Sequence, residues 1–241
     1  MAAPDIHINE HLDTVLKGAW ESNINNQSRW VIFSDLHMGD GSTKDDFKPN
    51  SELFQCALRD YYLKRNYSLM LNGDVEELQR FSLDVILKNW NPVYKLFDAF
   101  ANKNRLAKTY GNHDLQLKVQ KPPYDYKMSE ACKLSYEGDH IFIYHGHQAS
   151  KKYQLQNDLV GFTLKYFANP LRIKDYSVSH SSKKQYKIEK RAYEHAIKRN
   201  QISIIGHTHR PLFESLHKVD RLRFKIDQLC RDYLISRPSN Q

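Results

Sequence analysis

At 241 residues, 40% of them hydrophobic and with a mean hydropathy of −0.71, the chain fits a soluble globular protein with one large core or two small ones at most. No apolar run reaches the ~18 residues of a transmembrane helix, and the start "MAAPDIHINEHLD" lacks the basic-then-apolar order of a secretory leader. The net charge is +8, and residues 148–200 carry all of it, with 12 Lys/Arg against 4 Asp/Glu, so an anionic partner is expected beside that segment: substrate phosphates, nucleic acid or an acidic membrane surface.

In chain order, short apolar runs lead into polar residues. "WVIFS" (30–34) runs into Asp35-Leu36-His37. Residues 51–65 follow with Leu53, Phe54, Ala57, Leu58 and Tyr61 on one helical stripe and Ser51 as N-cap. "SLMLN" (68–72) runs into Gly73-Asp74, and a helical stretch over 76–104 is broken at Asn91-Pro92. "LAKTY" (106–110) leads into Gly111-Asn112-His113-Asp114, "HIFIY" (140–144) into His145-Gly146-His147, and "QISII" (201–205) into Gly206-His207-Thr208-His209. Runs of this kind ended by Gly or Asp predict buried strands, and their alternation with helices predicts an α/β domain with parallel strand pairs. Ligand sites in such sheets form beyond the carboxyl ends of the strands, where all five polar clusters stand.

The residues gathered there are Asp35, His37, Asp74, Asn112, His113, His145, His207 and His209. Carboxylates, an amide oxygen and imidazoles suit a pair of divalent ions such as Mn, Fe or Zn. The alternation in Asp35-x-His37 and His207-x-His209 predicts that both members of each pair face one site. Cys56, Cys132 and Cys230 are far apart and outside any CxxC, so reduced thiols and a cytoplasmic location are expected.

As a set, "SDLH", "NGDV", "GNHD", "HGH" and "GHTH" resemble the calcineurin-like metallophosphoesterases, which carry D-x-H, G-D, G-N-H-[DE], H and G-H-x-H in that order. The resemblance spans residues 30–211 and is nearest to the UDP-2,3-diacylglucosamine pyrophosphatase-like group, whose members usually have Arg at the position of His113. It implies a four-layer α/β/β/α sandwich with two mixed sheets and hydrolysis of a phosphodiester, pyrophosphate or phosphomonoester by a hydroxide activated at two metal ions, with Mn the first choice. By the same resemblance Asp35, His37, Asp74 and His209 hold one ion. Asp74, Asn112, His145 and His207 hold the other, with Asp74 bridging, and His113 donates a proton or contacts phosphate. Asp114 is a candidate to orient His113.

One domain is expected over 1–241, with its core at 28–211, a helical basic insertion at 148–200 and a helix at 212–235 in place of the family's C-terminal strands. The insertion pairs an apolar half, "LVGFTLKYFANPLRI", with a basic helix, which predicts a lid over the metals suited to an amphiphilic phosphorylated substrate. The alternatives are a nuclease acting on single-stranded nucleic acid, a peripheral membrane contact, or a non-catalytic scaffold. Arg80 and Arg210 are weighed as phosphate contacts, Asp40, Asp45 and Asp46 as solvated, and the histidines outside the motifs as structural or surface.

Overall fold

The computed structural model describes residues 6–120, 122–150 and 182–210, together with Leu222, Ile226, Leu229 and Cys230. The chain divides into two compact units, Met1–His209 and Arg210–Gln241. In the second unit Leu222, Ile226, Leu229 and Cys230 are helical and exposed. The apolar half of the expected lid lies outside the described residues.

The first unit opens with α1 (Ile6–Lys17) and β1 (Trp20–Asn23). The expected strands follow as β2 (Trp30–Phe33), β3 (Ser68–Asn72) and β4 (Leu106–Thr109). Next come β5 (Lys127–Ser129), β6 (Ala131–Tyr136), β7 (Asp139–Tyr144) and β8 (Ile202–Ile205). The helices between are α2 (Ser51–Cys56), α3 (Leu83–Asn89), α4 (Asn91–Ala101) and α5 (Ser182–Arg199). Pro92 sits in the first turn of α4, where its missing N–H costs no hydrogen bond, so the break falls at Trp90.

The described residues form two four-stranded sheets, in the orders β1-β6-β7-β8 and β2-β3-β4-β5. The first is mixed, because the β6–β7 hairpin is antiparallel. The second is wholly parallel, a departure from the two mixed sheets expected. Its strands are joined by crossovers that return each to the same end, and parallel pairing requires that.

Three apolar clusters make the layers. Phe47, Phe54, Leu58, Phe97 and Phe100 pack α2–α4 on the outer face of the parallel sheet. Ile8, Leu12, Phe142, Tyr144, Ile188 and Ala192 pack α1 and α5 on the outer face of the mixed sheet. Met70, Ala107, Cys132, Leu134 and Ile143 fill the space between the sheets. The result is the four-layer α/β/β/α arrangement.

The helix after Ser51 departs from its expected stripe. It widens into a π-helix over Ala57–Tyr62, closed by Leu63 N–H donating to Leu58 O at 2.9 Å. Phe54 and Leu58 are buried, whereas Leu53 is 74% and Tyr61 47% exposed. Ser51 is the first helical residue and not the cap; its hydroxyl donates to Lys48 O at 2.8 Å.

Beneath the parallel sheet's carboxyl end lies a buried polar knot. Glu76 is fully buried and accepts from Lys108 Nζ, Tyr94 Oη at 2.8 Å and Tyr124 Oη at 3.0 Å. Lys108→Met would leave the Glu76 carboxylate buried without its cation. Breaking one side of such a pair costs about 3–5 kcal/mol, so thermal unfolding should fall by roughly 10 °C. An unchanged melting temperature would show that the knot is not structural.

Candidate metal centre

Each polar cluster sits where a strand ends and the backbone turns sharply. Asp35, His37, Asp74, His207 and His209 all have left-handed backbone, with φ of 57°, 49°, 51°, 66° and 53°. Asp and His tolerate this region at a cost of order 1–3 kcal/mol each, and such strain gathers at functional sites. The expected reason for Asp35-x-His37 and His207-x-His209 to converge was strand alternation. The strands end too early for that: β2 stops at Phe33 and β8 at Ile205, and left-handed turns beyond the strands aim these side chains.

Backbone pairing carries the ladders into the loops. Asp35 N–H donates to Gly73 O at 3.1 Å, His37 N–H to Asp74 O at 3.0 Å, and Gly206 N–H to His145 O at 2.9 Å. Asp35 then ties one sheet to the other: it accepts from His207 N–H at 3.1 Å, and its Oδ1 lies 3.1 Å from His209 Nε2. Gly111 is packed so tightly on Asp74 that an added Cβ would overlap the Asp74 backbone nitrogen, and at Gly73 it would meet His145 Nδ1 at 2.6 Å.

Among the described residues, candidate ligand atoms within 4.8 Å of one another form three groups: Asp35, His37 and His209; Asp74, His145 and His207; and His37, Asp74 and His113. Asp74 Oδ2 stands between the first two, 3.0 Å from His145 Nε2 and 4.0 Å from His37 Nε2. His145 Nδ1 is 2.9 Å from Asn72 O, and His37 Nδ1 is 3.1 Å from Glu77 Oε2. In each ring Nδ1 is thereby tied to a carbonyl or carboxylate oxygen, and Nε2 is the nitrogen turned toward the centre, the orientation a metal-binding imidazole requires. His37 Nε2 and Asn112 Oδ1 are buried with no hydrogen-bond partner. Buried acceptors of this kind are costly unless a ligand takes them up, so the donor set fits divalent cations.

The electrostatics agree. Burial disfavours charge on His145, yet the carboxylates of Asp74 and Asp35 outweigh it and lift its pKa to about 10. Burial likewise opposes ionisation of Asp35, and His145 and His209 overcome it to hold Asp35 at about 2. His207 is pushed down to about 3 by burial and by the charge of His145. An imidazole so strongly charged beside two carboxylates marks a place that calls for positive charge.

Glu77 is the residue the sequence reading passed over. It is 3% exposed, and its oxygens stand 3.1 Å from His37 Nδ1 and 2.9 Å from His113 Nδ1. Its burial raises the pKa, but His113 and His37 bring it to about 2. Asp114, expected beside His113, does something else. It accepts from Gly111 N–H at 2.6 Å and Val75 N–H at 2.9 Å, bracing the loops that carry Asn112 and Asp74. Asp45 is buried and not solvated, accepting from Trp90 Nε1 at 2.9 Å and Phe47 N–H at 3.0 Å. Arg80 is drawn to Asp46 at 2.8 Å and to Lys44 O.

Outside the motifs, His195 is buried 3.0 Å from Asp13, and His140 lies 2.7 Å from Gln201. The expected free cysteines are all unpaired. Among the described residues no helix is long and apolar enough to cross a membrane.

No curated protein is similar to the chain at a significant level. Among solved structures, a protein of unknown function from Aquifex aeolicus aligns over 84% of this chain and 99% of its own, at 18% identity and a TM-score of 0.43. The family model of the calcineurin-like phosphoesterases matches residues 28–211, a span that holds every strand-end cluster described above. The chain thus belongs to the calcineurin-like phosphoesterase family and is, in that general sense, a metal-dependent phosphoesterase.

Proposed function

We propose that the chain hydrolyses a phosphodiester or pyrophosphate bond at two divalent cations, with Mn ahead of Fe and Zn. Asp35, His37, Asp74 and His209 would hold one ion, and Asp74, Asn112, His145 and His207 the other. The observation that supports this most is Asp74 itself, a buried carboxylate whose Oδ2 is within reach of an imidazole from each group. Bound cations supply charge stabilisation for the phosphoryl oxygens and an acidified water.

The chain's own residues do the rest. Glu77 fixes the His113 ring with the proton on Nδ1, and the His113 backbone N–H donates to Asp74 Oδ1 at 2.8 Å. His113 is therefore rigidly placed beside the centre, where it would deliver a proton to the departing oxygen. The motif pattern is similar to the UDP-2,3-diacylglucosamine pyrophosphatase-like group, with His113 where those enzymes usually carry Arg, which favours a related hydrolase of the same bond class.

Elemental analysis of protein purified without chelator should find up to about two ions per chain, as a two-metal site requires. Chelation should abolish hydrolysis of bis(nitrophenyl) phosphate, and added Mn should restore it. A chain that binds no metal and hydrolyses no ester under these conditions would be a scaffold of this fold.

A further inference from the structure

Of the positive surplus read from the sequence, α5 carries +5, with seven Lys/Arg against two Glu. Lys183, Lys184, Lys187, Lys190 and Lys198 are exposed, while Gln185, Ile188, Ala192 and His195 are buried. At 3.6 residues per turn the five lysines fall in one sector of about 120°, with Lys184 at the border of the buried face and the others turned away from it. Glu194 alone interrupts the sector, and Lys190 lies 3.4 Å from it. Arg199, at the far end, is held by Asp13. Lys183, Lys184, Lys187 and Lys198 make no ion pair among the described residues.

The stripe also starts at a definite place. Gln185 Nε2 donates to Thr208 O at 2.8 Å, and Thr208 lies between His207 and His209. Arg191 Nη1 donates to Ala149 O at 3.0 Å, in the turn that follows His145. From Lys183, two residues before Gln185, to Lys198 the stripe runs about 22 Å at ~1.5 Å per residue.

Resting on the phosphoesterase reading above, we propose that this face of α5 is a rail for single-stranded nucleic acid and leads its phosphate chain to the metal centre. A lone phosphate needs only one or two cations, not a row of this length. Lys183, Lys187 and Lys190 rise along the helix by about 6 and 4.5 Å, the scale on which a stretched phosphodiester chain repeats its charge. A lipid surface is the poorer match. An interfacial helix sinks an apolar face among acyl chains, and the apolar face of α5 is already packed with α1 and the mixed sheet. The lysine face offers charge with only Ile197 exposed at its edge.

The test is fluorescence anisotropy of a labelled oligothymidylate of about 20 nucleotides with the full chain in chelator, so that nothing is cleaved. Four phosphate contacts predict a slope of log affinity against log salt of about −3. The variant Lys183→Glu/Lys187→Glu/Lys198→Glu should bind about 100-fold more weakly at 0.1 M salt and flatten the slope by about 2. Should the triple variant melt early, Lys187→Glu alone should still cost about 5-fold. Equal affinity of variant and wild type overturns the rail, as does an absence of salt-dependent binding. Phosphatidylserine vesicles that displace the oligonucleotide and bind more tightly would assign the face to a membrane and overturn it too. Hydrolysis of bis(nitrophenyl) phosphate by wild-type protein with Mn reads the centre separately: binding without hydrolysis sinks the phosphoesterase reading, and hydrolysis without binding sinks the rail.

Discussion

Asp74→Ala is expected to eliminate hydrolysis of every phosphoester and to strip most of the bound metal. Loss of a residue that merely orients a ligand costs 10–100-fold in metal affinity or activity. Asp74 stands between both imidazole groups, so its removal should cost well over ~10²-fold in each. Two further effects add. The His113 backbone N–H loses its acceptor, and the charge that holds His145 protonated in the metal-free protein is removed. Metal content and turnover should therefore fall together, while the fold persists through the clusters on either side of the two sheets. A variant that kept full activity would show that Asp74 is not shared between cations.

Asp74 was legible in the sequence because its position is chemical and local: an apolar run, a glycine and a carboxylate. The same holds for Asp35, Asn112, His145 and His207, each at the end of a strand recognisable by its own composition. What the sequence did not carry was orientation. Nothing in "SDLH" announces that Asp35 and His37 both turn left-handed, because that conformation is fixed by backbone bonds to Gly73 and Asp74, about forty residues away. β1 was missed since "WESN" alternates only half-buried and exposed positions and becomes a strand through pairing with β6. Glu77 was missed for a related reason. In "GDVEELQ" it reads as a solvated acidic residue opening a helix, and only the fold buries it between His37 and His113. Asp114 drew attention by adjacency to His113, yet its side chain faces the opposite way into backbone N–H groups.

Glu77 also sets the terms for His113. Burial by itself lowers the His113 pKa, but the hydrogen bond that His113 donates to Glu77 and the negative charges of Asp74 and Glu77 reverse this and raise it. A proton donor works only while protonated, so its contribution is present at low pH and is lost as pH rises through its pKa. The raised value therefore extends activity toward alkaline pH. Glu77→Gln replaces the carboxylate by a neutral amide, and the alkaline limb of the rate profile should move to lower pH. The variant also leaves one acceptor oxygen where His37 Nδ1 and His113 Nδ1 each had their own, so metal affinity should fall by up to about 10–100-fold, and the profile must be taken at saturating metal. His113→Ala should leave metal content intact and cut turnover by roughly 10²–10⁴-fold on an ester with a poor leaving group such as methanol. On a nitrophenyl ester the loss should be far smaller, because nitrophenolate departs without a proton. If both variants lost equally on the two esters, with the alkaline limb unmoved, His113 would be holding the phosphate and not protonating the leaving group, and Glu77 would only be bracing the ring.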